Sequence, residues 1–373
     1  MSAGERRYDL GRHPVLSAPV SSIGAIRWLR QNLFATWSDA ALTLLILLLL
    51  SWLIPPLFSW AILDAHWRGS DRSACTGDGA CWVFVRVWFE RFIYGLTYPL
   101  SESWRIDLAY AILLVCGVLL FIKRFPWKLW VAVFLIFFYP IIAYFLFVGG
   151  TFRLPLVETS QWGGLALTLV VAGVGIATSL PLGILLALGR RSQMPVVRVV
   201  SVCFIELWRG VPLITVLFMA SVMLPLFLPE GVNFDKLLRV LIGVALFSAA
   251  YMAEVVRAGL QAIPRGQFEA AATLGLNYWK SMGLVVLPQA LRLVIPGIVN
   301  NLIGLFKDTT LVVVIGLFDL LGTVQAANTN AEWLGFAKEG YVFAGLGFWI
   351  FCFGMSRYSQ WLERKLHAGQ KRG

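Results

Sequence analysis

The chain has 373 residues, of which 59% are hydrophobic, 14% are aromatic and only 14% are charged. A soluble protein of this size has no core large enough to hide so much apolar surface, so the composition excludes a water-soluble globular protein and indicates an integral membrane protein. The net charge of +11 comes from basic residues scattered between apolar segments rather than gathered on one face, which argues against a nucleic-acid-binding protein.

Eight apolar segments predict membrane spans, because a helix needs roughly twenty apolar residues to cross about 30 Å of hydrocarbon. The predicted spans lie near residues 40–62, 108–122, 129–149, 163–188, 211–228, 237–256, 288–321 and 340–361. The second span is short, and the seventh is longer than a membrane requires. We therefore predict an all-α integral membrane fold, in which a three-span extension precedes a five-span core.

The spans divide the chain into four predicted regions. These regions are an N-terminal tail at 1–39, the extension with a large outer loop at 40–150, the core at 160–365 and a basic C-terminal tail at 366–373. No cleavable signal peptide is expected, since the first apolar run is longer than a signal core and follows a fairly polar segment.

Basic residues set the predicted orientation. If the N-terminus lies inside, the segments predicted to be cytoplasmic contain twenty Lys and Arg residues, whereas the outer segments contain nine. This asymmetry agrees with the positive-inside rule. Both termini and the loop after the sixth span are therefore expected in the cytoplasm.

The outer loop contains an aromatic segment at residues 82–98 that also carries Arg86, Glu90 and Arg91. These charges are costly at the bilayer centre, so we expect a helix that lies at the outer surface. Its expected apolar face consists of Trp82, Val85, Phe89, Phe92 and Ile93. A short ninth span is the alternative, and it would place every later segment on the opposite side of the membrane.

The same loop contains Cys75 and Cys81, which are close enough in sequence to reach each other. An oxidising periplasm permits a disulfide between them, and two free thiols are the alternative, because sequence does not fix the geometry. The other three cysteines fall in or beside spans, where they are expected to act as small apolar residues. They are Cys116, Cys203 and Cys352.

The fourth span repeats a small residue at every fourth position. The repeat consists of Gly175, Ser179, Gly183 and Ala187. Such a stripe lets two helices approach closely in lipid, so it predicts a packing seam. The seam lies either within this chain, which we favour, or against a second membrane subunit.

Polar residues inside a membrane are costly, so each one is a candidate for function. Glu206 and Arg209 precede the fifth span, and their three-residue spacing lets them share a helical face and neutralise each other. An internal ion pair that fixes this bend is the favoured interpretation, and a place on the substrate path is the alternative.

A second polar group lies on the sixth span, where Ser248, Tyr251 and Glu254 recur at three-residue steps. This stripe could line an aqueous path. For Glu254 a local ion pair with Arg257, three residues later, is an equally good interpretation.

The seventh span is predicted to be broken, because residues 288–321 exceed the membrane thickness and contain helix-breaking and polar residues. These are Pro296, Asn300, Asn301, Lys307 and Asp308. Asp308, Thr309 and Thr310 are good N-cap residues for a second half-helix that starts near Leu311.

Interrupted helices are the best sequence indication of a transporter site. A solute that carries both a carboxylate and an ammonium group would be complemented by Lys307, Asp308, Asn300 and Asn301. Mutual pairing of Lys307 with Asp308, or pairing with a neighbouring chain, is the competing interpretation.

The segment at 262–288 has a distinctive pattern. Glu269-Ala270-Ala271 is followed after three residues by Gly275, and nine residues later by Val285-Val286-Leu287-Pro288. Strong helix formers around Glu269, a turn at Gly275 and a second short helix from Asn277 predict a two-helix elbow. Its small alanines suit docking into a groove on another protein, and an ordinary connection between spans is the alternative.

This spacing resembles the coupling loop (EAA loop) of ATP-binding-cassette (ABC) importer permeases, with Val285 where the pattern often has Ile. Flanking segments are similar to those of polar amino-acid uptake permeases over residues 160–365. They include 204–213 (FIELWRGVPL), 250–259 (AYMAEVVRAG) and 306–311 (FKDTTL). The three extra spans and Trp162-Gly163-Gly164 resemble the longer permease subunit of the general L-amino acid ABC transporters of Gram-negative bacteria.

The resemblance implies a type I ABC importer core in the bacterial inner membrane that alternates a cavity between periplasm and cytoplasm. It also implies four kinds of partner: two copies of an ATPase, a second homologous permease, a periplasmic amino-acid-binding protein and the amino-acid substrate. The coupling residues would be Glu269, Ala270, Ala271, Gly275, Leu287 and Pro288. The substrate-path candidates are Tyr251, Asn300, Asn301, Lys307, Asp308, Thr309, Glu206 and Arg209.

No phosphate-binding loop and no nucleophile–base pattern occurs in the sequence, so we expect no catalytic residue, and ATP and Mg²⁺ are expected on the partner ATPase. The three histidines lie outside the predicted spans, so no metal site is expected. Two rival functions are a secondary transporter driven by an ion gradient and an intramembrane enzyme.

Overall fold

The described part of the chain is helical and falls into two compact units. The computed structural model describes residues 24–122, 125–151, 153–227, 229 and 234–367. One unit holds residues 24–67 with 75–80, and the other holds 68–74 with the described residues from 81 onward. Most of the predicted N-terminal and C-terminal tails lies outside the described residues.

The first unit contains α1 (Gly24–Asn32) and α2 (Trp37–Phe58), which continues through a π-helical turn at Ser59–Leu63. Thr36 and Asp39 form a reciprocal capping box that starts α2, because each side chain accepts from the other residue's backbone N–H. The candidate span Trp37–Leu63 buries none of its apolar window, as expected for a helix that meets lipid on all sides.

The second unit contains the remaining helices. Its first part consists of α3 (Trp82–Tyr94), α4 (Ser103–Phe121), α5 (Lys128–Val133) and α6 (Tyr139–Val148), the last two joined by a π-helical turn. Its second part consists of α7 (Gly164–Arg190), α8 (Pro195–Gly210), α9 (Leu213–Phe218), α10 (Lys236–Gln261), α11 (Arg265–Thr273), α12 (Tyr278–Ser281), α13 (Leu287–Leu293), α14 (Ile295–Asp308), α15 (Leu320–Asn328) and α16 (Ala337–His367).

The described helices give seven candidate spans, or up to eight if one bent pair counts as a single crossing. The bent pair joins Pro195–Gly210 to Leu213–Phe227 at 101°. The fifth span, predicted at 211–228, is therefore only the second limb of this pair. Hydropathy did not mark α8 as a limb of a span, because Arg198, Glu206 and Arg209 interrupt its apolar run.

The predicted half-helix after Asp308 is wrong. Asp308 makes no side-chain cap, and α14 passes directly into a 3₁₀ segment at Thr309–Ile315. The Thr309 hydroxyl instead donates back to the Phe306 carbonyl at 2.7 Å. This backward bond satisfies the hydroxyl inside the helix, so the threonine has no need to act as a cap.

The chain does break on either side of the predicted point. α14 begins afresh at Ile295, because Pro296 has no N–H to continue the ladder from α13. After Gly316, which adopts φ +74°, the Asp319 carboxylate accepts from the Gly322 N–H at 2.8 Å and caps α15. The candidate span is consequently Ile295–Ile315, shorter than the predicted 288–321.

The small-residue stripe of α7 packs within the chain, which confirms the favoured interpretation. All four of its members are buried. A Cβ on Gly175 would come within 3.0 Å of Val244, and one on Gly183 would come within 2.8 Å of the Met252 side chain. The stripe therefore forms the contact surface between α7 and α10.

The aromatic segment of the outer loop forms a helix as predicted, but its buried face is different. Val83, Phe84 and Phe92 are buried, whereas Phe89 is exposed. The Phe84 ring lies 5.5 Å from that of Trp333, and the Phe92 ring lies 5.2 Å from that of Phe343. We predicted from its charges that α3 would lie against a membrane surface. In the structure α3 instead packs against α7, α15 and α16.

Three distant segments meet at a glycine junction. Gly164 adopts φ +60°, a conformation that side chains disfavour, and its N–H donates to the Phe318 carbonyl at 2.8 Å. A Cβ on Gly163 would lie 2.9 Å from the Cα of Gly95. The Thr168 hydroxyl accepts from the Leu320 N–H at 3.0 Å, so the start of α7 is joined to the start of α15.

Cys75 and Cys81 are both disulfide-bonded, whereas the other three cysteines are free. The Cys81 N–H also donates to the buried carboxylate of Glu339 at 2.9 Å. This bond connects the first turn of α16 to the residue that precedes α3.

Candidate functional site

The segment at 262–288 folds into the predicted two-helix elbow. Gly275 ends α11 with φ +72°, and the Leu276 N–H donates to the Ala271 carbonyl at 3.1 Å. This is the usual way to stop a helix with a left-handed glycine. The Asn277 side chain then accepts from the Lys280 N–H and caps α12.

The elbow presents a surface that is left open by the part of the chain that the structure describes. Glu269 and Ala270 are exposed, and Ala271 is buried beneath them. Large apolar side chains lie beside them in the open. They are Leu274 (78% exposed), Trp279 (70%) and Leu284 (71%). The pattern of small residues did not reveal these three, although their apolar character was visible in the sequence.

The far end of the elbow is fixed to the core. Val286 is fully buried in a cluster with Val256 and Leu260 of α10, and Leu287 packs at its edge. Pro288 is exposed within the first turn of α13. The elbow is therefore a rigidly anchored projection rather than a loose loop.

A cluster of charged side chains lies where α7, α8 and α10 meet. Glu254 is its centre, with Oε1 2.9 Å from Arg190 and Oε2 2.6 Å from Arg257. Arg190 also contacts Glu206 at 2.9 Å, and Arg209 lies 3.8 Å from Glu254. The local pairing of Glu254 with Arg257, foreseen as one interpretation, is confirmed.

The expected pairing of Glu206 with Arg209 is wrong. Glu206 pairs with Arg190, and Arg209 turns toward Glu254 and over the Tyr251 ring, 5.6 Å from its centroid. The reason is burial: the Glu254 side chain is 14% exposed and that of Glu206 is 55% exposed, so the desolvated carboxylate attracts the cations more strongly. Arg190 was not predicted, and its place at the end of a span was the only sequence signal.

The predicted polar stripe on α10 divides into unlike environments. Ser248 is buried, and its hydroxyl has no partner among the described residues. Tyr251 is exposed, and its ring lies 4.8 Å from the Phe247 ring in a tilted arrangement. Only Tyr251 and Glu254 join the charged cluster.

The candidates on α14 remain separate from that cluster. Asn300 and Lys307 are exposed, Asn301 and Asp308 are half-buried, and Thr309 is buried. No hydrogen bond or ion pair among the described residues joins them to the cluster. Lys307 and Asp308 likewise form no ion pair with each other there.

Comparison with known sequences identifies the kind of protein that carries this elbow. The family described as "Binding-protein-dependent transport system inner membrane component" matches residues 179–368. The Escherichia coli (strain K12) protein YhdY, an inner membrane amino-acid ABC transporter permease, is 58% identical over 96% of this chain and 97% of its own length. The Rhodobacter capsulatus permease BztC, of a glutamate/glutamine/aspartate/asparagine transport system, is 40% identical over 94% and 95%.

Among solved structures, the crystal structure of an amino acid ABC transporter with histidines is 28% identical, with a TM-score of 0.48, over 54% of this chain and 92% of that chain. The expected fold class, an all-α type I ABC importer core in the inner membrane, is confirmed by the family match together with the helical structure. This chain belongs to the amino-acid ABC transporter permeases.

Proposed function

We propose that this permease imports amino acids by alternating access and that a separate ATPase drives it through the elbow that carries Glu269. The observation that carries the proposal is the elbow's surface. Small residues and the exposed Leu274 and Trp279 form a patch there that no other described residue of the chain covers. Exposed apolar patches of this kind mark protein contacts. Anchoring through Val286 and Leu287 lets a push on the elbow reach α10 and α13.

The proposed assembly contains two ATPase copies, a second homologous permease and a periplasmic amino-acid-binding protein. The family description, which specifies dependence on a binding protein, supports the last of these. ATP and Mg²⁺ would bind to the ATPase, and this chain would hold no cofactor. Both termini and the elbow would lie in the cytoplasm, on the side favoured by the positive-inside rule.

The substrate path is proposed to run past the charged cluster and the polar side of α14. Glu206 and Arg209 keep enough exposure to meet a solute that carries an ammonium and a carboxylate. Asn300 and Lys307 offer an exposed amide and an exposed cation on α14. Relatives of this chain carry acidic and amide amino acids, as the name of BztC states, which supports amino acids as the substrate class.

The energy source decides between this proposal and an ion-gradient transporter. The chain, purified with its co-isolating subunits and placed in proteoliposomes with the binding protein outside, should take up amino acids only when ATP is enclosed. Ionophores should leave that uptake unchanged. Uptake that continues without ATP and stops when ionophores are added would exclude the ABC mechanism.

A further inference from the structure

A basic cavity of about 570 Å³ opens beside the charged cluster, where α7 and α10 end. Arg190, Arg191, Arg198 and Arg257 line it, and none of the described lining residues is acidic. Its volume falls in the range of about 300–1,000 Å³ found for small-ligand sites.

The neighbouring carboxylates do not neutralise this cavity. Glu206 and Glu254 are two carboxylates shared among three cations, Arg190, Arg209 and Arg257, and two of these cations line the cavity. Arg191 and Arg198 have no acidic partner among the described residues, so they add two uncompensated positive charges to the same wall. The cavity is thus suited to an anion.

The cavity lies at the level of a membrane surface. Two candidate spans end at it, Gly164–Arg190 and Lys236–Gln261. The adjacent turn of α8 exposes apolar side chains next to Arg198. They are Met194, Val196, Val199 and Val200. Guanidinium groups beside exposed aliphatic side chains match the boundary between lipid headgroups and acyl chains.

We propose that this cavity binds the phosphate of an anionic phospholipid, with the acyl chains lying along the apolar side of α8. Planar guanidinium forks complement phosphate oxygens by paired hydrogen bonds. In the orientation proposed above, the lipid comes from the cytoplasmic leaflet, which is rich in anionic headgroups. The inference concerns lipid binding and stands whether or not the elbow couples to an ATPase.

The site also touches the elbow. The Arg191 guanidinium donates to the Leu260 carbonyl at 3.0 Å and lies 5.6 Å from the centre of the Phe268 ring on α11. Phe268 directly precedes Glu269. A phosphate that draws Arg191 toward the cavity therefore acts on a side chain in contact with the coupling helix.

The test measures lipid retention by the whole complex. Wild type and the double variant Arg191→Gln/Arg198→Gln are purified in nanodiscs of phosphatidylcholine mixed with phosphatidylglycerol, and the phosphatidylglycerol that stays bound is counted by native mass spectrometry. The variant should retain at least about tenfold less, since it loses charged hydrogen bonds made directly to the phosphate. The matched control, Arg357→Gln/Arg364→Gln, removes two charges from the end of α16 and should retain the wild-type amount.

Equal retention in the cavity variant and in wild type would overturn the proposal. Arg198→Gln alone removes an exposed side chain that makes no ion pair, so it should assemble normally and must still lower retention. A second arm adds soluble glycerol phosphate to complexes in phosphatidylcholine alone. The lipid assignment would be refuted if two results occurred together: glycerol phosphate binding is lost when Arg191 and Arg198 are replaced, and phosphatidylglycerol retention is unaffected by the same substitutions. The ligand would then be a soluble phosphate.

Discussion

Arg190 and Glu254, 64 residues apart in sequence, form a 2.9 Å ion pair that joins the end of α7 to α10. The same guanidinium contacts Glu206 on α8, so one side chain connects three helices. Because the elbow follows α10 directly, these bonds fix the helix from which the elbow projects. The charged cluster is therefore both a candidate for substrate contact and a structural clamp.

Glu254→Gln should destabilise the complex more than Glu206→Gln. The first change removes the carboxylate that three arginines share, at a cost of roughly 1.5–3 kcal/mol for charged hydrogen bonds. The second removes one contact of a half-exposed side chain, which is worth less than about 1 kcal/mol. The melting temperatures of the purified complexes measure the loss of stability in each variant. An equal decrease for the two variants would contradict the central role of Glu254.

Gly183→Ala should lower the yield of folded protein, because the added Cβ meets the Met252 side chain at 2.7 Å and the Ala253 nitrogen at 3.0 Å. Overpacking of this kind costs about 1–3 kcal/mol. Gly173→Ala on the same helix is the control, since a Cβ there meets nothing within 4 Å and should be neutral or stabilising. Fluorescence-detected size-exclusion chromatography after graded heating compares the two, and matching profiles would refute the seam.

Asp319→Asn should remove one component of the pH dependence of stability. Burial raises the pKa of the Asp319 carboxyl from 3.8 to about 6, so the folded state binds a proton that the unfolded state releases. Wild-type stability should therefore fall as the pH rises from about 4 to about 6, by on the order of 1–3 kcal/mol. Asparagine still caps α15 through its side-chain oxygen but carries no charge. The difference in melting temperature between variant and wild type should grow across that interval, and a constant difference would exclude Asp319 as the source.

Glu269→Lys should abolish uptake while the protein still inserts into the membrane, since its carboxylate is exposed and forms no ion pair with any residue in the described ranges. Trp279→Ser should reduce uptake because it removes an exposed apolar side chain from the proposed contact surface with the ATPase. The control Glu332→Lys reverses an exposed charge on the predicted periplasmic side. ATP-dependent uptake in proteoliposomes distinguishes them, and wild-type uptake by Glu269→Lys would contradict the proposed coupling.

Local sequence patterns predicted the elements that depend on local chemistry. The turn at Gly275 and the small-residue stripe of α7 follow from the backbone freedom of glycine and from residue size, and both are present as expected. Composition likewise gave the all-helical membrane fold, because length and hydropathy decide which segments can span a bilayer.

Features that depend on distant partners were not predictable in the same way. The partner of Glu206 is Arg190 rather than Arg209, because the end of the preceding helix folds back beside α8 and supplies the nearer cation. Thr309 was expected to start a helix, but its hydroxyl found an acceptor one turn earlier. Phe84 faces inward only because Trp333 lies against it. At Glu206 and Phe84 a tertiary contact overrode a local preference, whereas at Thr309 a competing local hydrogen bond did so.

The glycine junction has a consequence for biosynthesis. The Gly164 N–H donates to the Phe318 carbonyl, which lies more than 150 residues later in the chain. The start of α7 therefore reaches its final geometry only after that later segment has been translated. A ribosome releases the chain from its N-terminus onward, and contacts between distant segments form last. We therefore expect the glycine junction, at the predicted outer end of the permease, to form only after the later membrane helices have been inserted. If translation is stalled before Phe318, this end should remain accessible to protease added from the periplasmic side.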